Sequence, residues 1–138
     1  MCSIGNAPLG DWHECPCSGA TLSKYVQPAI MTILAGGRLH GYRIVEAAAK
    51  SPMFGGDRPD PTGVYRLLRI MEKRGLVVSA WDVSDRGPAK KSYQLTNQGR
   101  ECFHRWIETL DGHRRAIGKL LGAARRAAAR MKKNSASK

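Results

Sequence analysis

The sequence predicts a mainly α-helical fold with one small β-hairpin, and three observations support this prediction. Apolar residues recur at helical spacing in four stretches, which indicates amphipathic helices. Between the third and fourth stretches, two runs of β-branched and aromatic residues flank a Gly-Pro turn, which is typical of a hairpin. The chain of 138 residues is long enough for one core and too short for two large ones.

The chain carries a strong excess of positive charge, with a formal net charge of +12 and a pI of about 10.1. Such an excess favours a polyanionic partner, nucleic acid first and an anionic membrane surface second. No apolar run approaches the length of about eighteen residues that a spanning helix needs, and the first residues do not resemble a signal peptide. We therefore expect a cytoplasmic protein with no membrane partner.

Residues 1–21 are predicted to form an irregular arm, because they are rich in Gly, Pro, Ser and Cys and show no periodicity. The arm holds four side chains of the types that bind zinc or an iron–sulfur centre: Cys2, His13, Cys15 and Cys17. Their spacing is poor, since Cys15-Pro16-Cys17 is one residue shorter than the usual Cys-x-x-Cys. An arm without metal is preferred, a metal or thiol-redox sensor is the alternative, and no cofactor is expected.

Two helices are predicted between residues 22 and 50. The first covers residues 22–35, where Pro28 marks either a kink or the true helix start, because proline removes a backbone donor. The second covers residues 39–50, and five of its positions are expected to be buried or half-buried: Tyr42, Ile44, Val45, Ala48 and Ala49. Prolines and glycines in residues 53–61 exclude regular structure there, so this segment is expected to be a rigid connector.

The third helix, predicted within the stretch from Asp60 to Arg74 with Gly75 just past its end, has two different faces. One face is apolar and is expected to join the core: Val64, Leu67, Leu68 and Met71. The other carries cations with one aromatic and one hydroxyl side chain: Thr62, Tyr65, Arg66, Arg69 and Lys73. A basic face by itself fits a merely solvated surface as well as a contact with nucleic acid.

The hairpin is predicted from residues 76–83 and 90–95, joined by a turn at residues 84–89, and its tip is basic because it bears Arg86, Lys90 and Lys91. A basic helix followed by a basic hairpin is the element order of a winged helix-turn-helix, whose third helix enters the major groove of DNA. We therefore place a winged helix-turn-helix DNA-binding domain at residues 22–96.

A fourth helix is predicted over residues 97–121, with Thr96 as its N-cap. Its apolar stripe lies beyond the compact unit and is expected to form a dimer interface: Phe103, Trp106, Ile107, Leu110, Ile117 and Leu121. A second copy of the same helix is the expected partner, because symmetric dimers are the commonest way to bury such a surface. Residues 122–138 form a basic tail, interpreted as either a solvated segment or a phosphate-binding arm.

These motifs closely resemble the PadR family of bacterial and archaeal transcriptional regulators over residues 25–121. The matching pieces are Leu39-His40-Gly41-Tyr42, Pro61-Thr62-Gly63-Val64-Tyr65, residues 67–72, Gly75-Leu76-Val77, Gly87-Pro88-Ala89-Lys90-Lys91, Tyr93-Gln94-Leu95-Thr96 and Gly99. The resemblance implies a homodimer that represses transcription at a palindromic DNA operator and is released by a small-molecule effector of unknown identity. The single helix after the wing resembles the short-tailed branch, in which the last helix dimerises. Arg66 stands where many relatives carry proline.

DNA contacts are expected from the third helix, the wing and the start of the second helix: Thr62, Tyr65, Arg66, Arg69, Lys73, Arg86, Lys90, Lys91 and His40. For Tyr65 the alternative is packing under the wing, and for Trp106 with Phe103 the alternative to a dimer core is an effector pocket. The chain lacks the residue patterns of a catalytic site, so an enzyme is not expected. An RNA- or ribosome-binding protein is a second candidate function, and a protein that binds membrane surfaces through its tail is a third.

Overall fold

The computed structural model describes residues 25–51, 61–83 and 87–136, and it confirms the predicted fold class. In chain order the elements are α1 (Val26–Leu34), β1 (Leu39–His40), α2 (Gly41–Ala49), α3 (Pro61–Lys73), β2 (Val77–Asp82), β3 (Lys90–Leu95) and α4 (Asn97–Ala136). The chain divides into two compact units at Phe103 and His104. The first contains the three short helices, the sheet and the beginning of α4, and the second contains the rest of α4.

The β structure is larger than the predicted hairpin, because β1 joins β2 and β3 in a three-stranded antiparallel sheet with the order β1-β3-β2. Leu39 and His40, which were expected to open the second helix, instead pair with Tyr93 and Ser92 of β3. Without β1, one edge of β3 would leave backbone donors and acceptors without partners. This requirement arises from a strand more than fifty residues away, so the local sequence pattern does not report it.

The first helix resolves the question raised by Pro28. Because α1 begins at Val26, Pro28 lies in the first turn, where a backbone N–H has no partner within the helix anyway. Pro28 therefore marks the helix start and not a kink. Its carbonyl accepts a hydrogen bond from Thr32 Oγ1 at 2.8 Å.

The core of the first unit is formed by α1, α2, α3 and the sheet. Its most deeply buried large apolar side chains come from all three helices: Ile30, Met31, Leu34, Ile44, Leu68 and Met71. Each such side chain contributes roughly 1.5–3 kcal/mol by leaving water. The apolar face predicted for α3 is confirmed, with Leu67 half-buried and the rest buried. In α2, Tyr42 was predicted to be buried or half-buried, but it is 41 % exposed.

The end of α3 leads directly into the wing through a left-handed turn. Gly75 has φ of 76°, a value that glycine adopts without strain. Its N–H donates to the Glu72 carbonyl at 3.0 Å, and the Leu76 N–H donates to the Met71 carbonyl at 2.9 Å. These two bonds satisfy the last carbonyls of the helix in a Schellman motif. The chain therefore reverses within three residues, which places β2 beside α3.

The start of α4 is fixed by Thr96, as predicted. The Thr96 Oγ1 accepts the N–H of Gly99 at 2.9 Å and donates to the Gly75 carbonyl at 2.6 Å. The helix continues for 40 residues to Ala136, so it passes residue 121 without a break and includes most of the predicted tail. None of the helices in the described part of the chain combines the length and apolar character needed to cross a membrane.

Candidate nucleic-acid interface

The outward face of α3 carries the side chains that were predicted to contact DNA. All five are exposed: Thr62, Tyr65, Arg66, Arg69 and Lys73. The helix contains a single acid, Glu72, so its exposed surface has a net positive charge. This confirms the two-faced character of α3. Which of these side chains contact DNA stays a prediction.

Tyr65 lies against the first residue of α2. A Cβ on Gly41 would overlap Cε1 of the Tyr65 ring and would lie 3.1 Å from its hydroxyl oxygen. The ring therefore uses the space that the missing side chain of Gly41 leaves free. Tyr65 is still 36 % exposed, so part of the side chain remains accessible to a ligand. This packing holds the beginning of α3 against the beginning of α2.

Glu72 connects α3 to the wing. Ser79 Oγ of β2 donates a hydrogen bond to Glu72 Oε1 at 2.6 Å, and Lys91 Nζ of β3 lies 3.8 Å from Glu72 Oε2. The acid therefore bridges the helix to both strands of the hairpin. Because Lys91 compensates its charge, Glu72 repels an approaching phosphate less than an unpaired carboxylate would.

Lys91 lies within the body of the wing, in β3, where it contacts two aromatic rings. Its Nζ lies 5.8 Å from the centre of the Trp81 ring and 5.6 Å from the centre of the Tyr93 ring. Both distances are within the range of a cation–π interaction. Trp81, opposite Lys91 in the sheet register, is 64 % exposed. The pair therefore forms a basic and aromatic patch on the wing.

Tyr93 is the buried aromatic residue beneath this patch, with 5 % of its surface exposed. Burial raises the pKa of its hydroxyl above the usual value, and the negative charge of Glu72 raises the pKa further. Both effects disfavour a phenolate anion. Tyr93 therefore remains neutral at physiological pH and adds no negative charge beneath the candidate interface.

His40 and Asp82 form a bridge across the middle strand. The register aligns His40 of β1 with Ser92 of β3, and Ser92 in turn with Ala80 of β2, so these three side chains share a face. Asp82 lies two residues beyond Ala80 on that face. His40 Nε2 and Asp82 Oδ2 are 2.6 Å apart, a hydrogen-bond distance. Ser92 below them is 1 % exposed, and its small side chain leaves room for the bridge.

Tyr42 is exposed because it is the centre of a surface cluster and not part of the core. The His40 ring stacks on it at 5.9 Å between ring centres. Arg43 and Lys90 place their charges 5.6 Å and 5.3 Å from the Tyr42 ring centre. The cluster therefore joins the start of α2 to the wing in one basic and aromatic surface.

Several participants in this surface were not identified from the sequence. The sequence pattern assigns Trp81 to a strand and Tyr42 either to the core or to a hydrogen bond with the DNA backbone, and it singles out neither Asp82 nor Glu72. Trp81 could have been identified from its position opposite a lysine in the hairpin. That position is known only once the pairing register of the two strands is known. Arg38 was also missed, and its Nη2 donates to Gln94 Oε1 at 3.0 Å.

Some of the predicted site residues lie outside the described residues. These are Arg86 of the wing turn and the four candidate metal ligands of the arm: Cys2, His13, Cys15 and Cys17. Within residues 25–51, 61–83 and 87–136, no group of three or more His, Cys, Asp or Glu side chains could hold a metal ion. Cys102 is half-buried, and its Sγ lies 3.9 Å from Gln27 Nε2.

A helix with a basic exposed face, followed immediately by a basic wing, is the arrangement of a winged helix-turn-helix protein. The model of the PadR-like transcriptional regulator family matches residues 30–105, which is more than half of the chain. The chain belongs to this family, as the sequence motifs predicted, and its members are transcriptional regulators and not enzymes. No curated protein shows significant sequence similarity to it.

Solved structures share the fold of this chain. A regulator from Thermoplasma acidophilum is 25% identical, with a TM-score of 0.63, and the match covers 73% of this chain and 94% of that one. A PadR-like regulator from Bacillus cereus is 23% identical, with a TM-score of 0.62 and coverage of 72% and 94%. Bacillus subtilis PadR, solved with operator DNA, is 24% identical, with a TM-score of 0.52 and coverage of 59% and 46%.

Proposed function

We propose that this protein is a sequence-specific DNA-binding regulator that inserts α3 into the major groove and contacts the flanking backbone with its wing. The observation that carries the proposal is the exposed cationic face of α3 beside a wing that is basic as well. A major groove is wide enough to admit one α-helix. Arg66 and Arg69 can each present a planar guanidinium to guanine or to phosphate, while Thr62 lies in the first turn.

The packing of the first unit supports this role, because it fixes the helix relative to the wing. Glu72 ties α3 to β2 and β3, and Tyr65 ties α3 to α2. Because α3 is fixed by contacts on two sides, it loses little conformational entropy when it binds DNA. Less of the favourable free energy of its DNA contacts is then offset, and the affinity is higher. The patch of exposed Trp81 and half-buried Lys91 extends the basic surface from α3 onto the wing.

We further propose that the active form is a homodimer that meets through the apolar stripe of α4. In the single chain, Ile107, Ile117 and Leu121 are exposed, and Trp106 and Leu110 are half-buried. A stripe of this size on one helix favours a partner that covers it, and an identical helix provides a matching surface. Two copies related by a twofold axis would read two half-sites about one helical turn apart, or a multiple of it, so a palindromic operator is expected.

A repressor role and release by a small effector are part of the same proposal, and their support is the resemblance to the family. Phe103 and Trp106 are both half-buried in the single chain. They are therefore the first residues to substitute when a candidate effector is tested. The effector itself has to be found by screening compounds for the release of bound DNA.

The experiment is a selection of bound duplexes from random DNA, followed by affinity measurements on the selected sequence. We expect the selected duplex to be palindromic and to bind on the order of 10³ times more tightly than random DNA at physiological salt. The Arg69→Ala variant should lose about 1–3 kcal/mol of binding, with relaxed base preference at one position if Arg69 reads a base. Lys50→Ala, which removes an exposed cation from the C-terminal end of α2, is the control. A protein that binds random DNA or RNA as tightly as the selected duplex would refute the proposal.

A further inference from the structure

The C-terminal half of α4 carries a second positively charged surface, which is separate from α3 and the wing. Four exposed cations belong to it, here called the cationic stripe: Lys119, Arg126, Arg130 and Lys133. The family match ends at residue 105, so this surface lies beyond the part of the chain that the family model describes. Residues 112–138 contain no acid at all.

Helical geometry places the four cations on one line. At 100° per residue, they lie within about 60° of one another around the helix axis. Between Lys119 and Lys133 the stripe is about 21 Å long. The apolar stripe proposed for the dimer, which includes Trp106 and Leu121, lies on roughly the opposite side of the helix. A dimer formed through the apolar stripe therefore leaves the cationic stripe accessible.

The charges of the stripe are not neutralised within the described part of the chain. The nearest acid along the helix is Asp111, and it is paired with Arg114 at 2.8 Å and with Arg115 at 3.3 Å. None of the stripe cations forms an ion pair among the described residues of the chain. Four like charges on one face of a helix repel one another, so they favour a polyanion that brings its own negative charge.

The apolar content of this part of the helix distinguishes among polyanions. Helices that lie on membranes insert Trp, Phe or Leu side chains opposite their basic face. After Leu121, the side of α4 opposite the stripe offers alanines, Met131 and the charged Lys132, and alanine contributes little apolar area. The segment is therefore suited to a partner that it binds electrostatically, and not to a membrane into which it would insert apolar side chains.

We propose that the cationic stripe binds the phosphate backbone of double-stranded DNA, independently of base sequence, as a second contact in addition to α3 and the wing. Duplex DNA carries one negative charge per about 1.7 Å of its axis, so about 21 Å of helix passes a dense row of phosphates. Each cation that meets a phosphate releases about 0.9 counterions. The stripe therefore raises affinity for any duplex and adds to the salt dependence of binding.

The test uses two double variants of the full chain with equal changes of charge. Arg126→Gln with Arg130→Gln removes half of the stripe, and Arg125→Gln with Lys132→Gln removes two neighbouring cations that lie roughly 120° away from the stripe. Glutamine retains good helix propensity, and circular dichroism checks that α4 is intact. Affinity for a long random-sequence duplex is measured over a range of salt concentrations.

We expect the stripe variant to bind random duplex on the order of tenfold more weakly at about 0.1 M salt, with a slope of affinity against salt that is lower by about two per bound subunit. The control variant should change either quantity much less. Equal effects of the two variants, or no effect of either, would overturn the proposal. Stripe-dependent sedimentation with phosphatidylglycerol vesicles, together with unchanged DNA binding, would overturn it in favour of a membrane.

These outcomes are separate from those that test the proposed function. Sequence selection by α3 is measured as the ratio of affinities for selected and random duplexes, and the stripe should leave this ratio unchanged because it affects both equally. A protein without sequence preference can still show the stripe effect on random DNA. A sequence-specific protein can likewise lack it, and then only the present proposal fails.

Discussion

The ring of Tyr65 in α3 occupies the space that a Cβ on Gly41 of α2 would need. This contact links two motifs that are separated in the sequence, one opening α2 and one opening α3. It explains why a residue without a side chain starts α2, since any other residue there would displace the ring from its position.

Gly41→Ala should therefore destabilise the protein through Tyr65. We expect a loss of about 1–3 kcal/mol in the free energy of unfolding, which is typical of an overpacked site. In a Tyr65→Ala background the added methyl group has room, and the same substitution should cost little or nothing. Urea unfolding of the four proteins at one concentration gives the coupling energy. A cost of Gly41→Ala that is equal in the two backgrounds would contradict the contact.

Gly99→Ala should be more harmful, because the obstacle is backbone. A Cβ on Gly99 would overlap the carbonyl oxygen of Leu76, which also accepts the N–H of Thr96 at 3.1 Å. We expect a loss of about 3 kcal/mol or more, since neither group can rotate away. Gly112→Ala is the matched control within α4, as no atom lies within 4 Å of its added Cβ. This control should stabilise the protein by roughly 1 kcal/mol.

Glu72→Gln should strengthen DNA binding while weakening the link between α3 and the wing. The substitution removes the only negative charge of α3 and frees Lys91 for phosphate. We expect a higher affinity with a salt slope steeper by about one, and a loss of about 0.5–1.5 kcal/mol in stability. Fluorescence anisotropy and urea unfolding measure the two effects. Glu101→Gln, which makes the same charge change at the exposed start of α4, should leave the affinity nearly unchanged.

The buried hydroxyl of Tyr93 should make the protein less stable in alkali. Burial raises the pKa of Tyr93 above its usual value of 10.0, and Glu72 contributes to the rise. The folded state holds the hydroxyl proton of Tyr93 more tightly than the unfolded state does. The protonated hydroxyl therefore makes its full contribution to the free energy of unfolding below about pH 10, and this contribution is lost as the pH rises through the raised pKa. Above about pH 10, the unfolding free energy of the parent should therefore fall relative to that of Tyr93→Phe. A constant difference would contradict the assignment, and Tyr42→Phe is the control for a tyrosine at the surface.

Trp106→Ala should loosen the proposed dimer. Truncation of a tryptophan at an interface hot spot costs about 2 kcal/mol or more, so the dissociation constant should rise by about thirtyfold or more. Arg105→Ala is the control, because Arg105 is exposed and lies outside the apolar stripe. Sedimentation equilibrium measures both variants. A monomeric parent protein would remove the dimer from the proposal without affecting the family assignment.

The sequence alone was sufficient for the two faces of α3, the end of that helix at Gly75, the wing strands, the N-cap at Thr96 and the family. Each of these features depends on residues that lie close together in the sequence. Helical or alternating periodicity determines which face is apolar, and a glycine or threonine at an end determines where an element stops.

Only the tertiary structure decided what depends on contacts between distant segments. Leu39 and His40 became a strand because β3 offered an unpaired edge, and Tyr42 became a surface residue because cations from α2 and the wing gather around it. The reason for glycine at position 41 is a ring from another helix. Periodicity within one segment contains no information about such partners, because hydrogen-bond pairing and steric exclusion act between elements that meet only after the chain has folded.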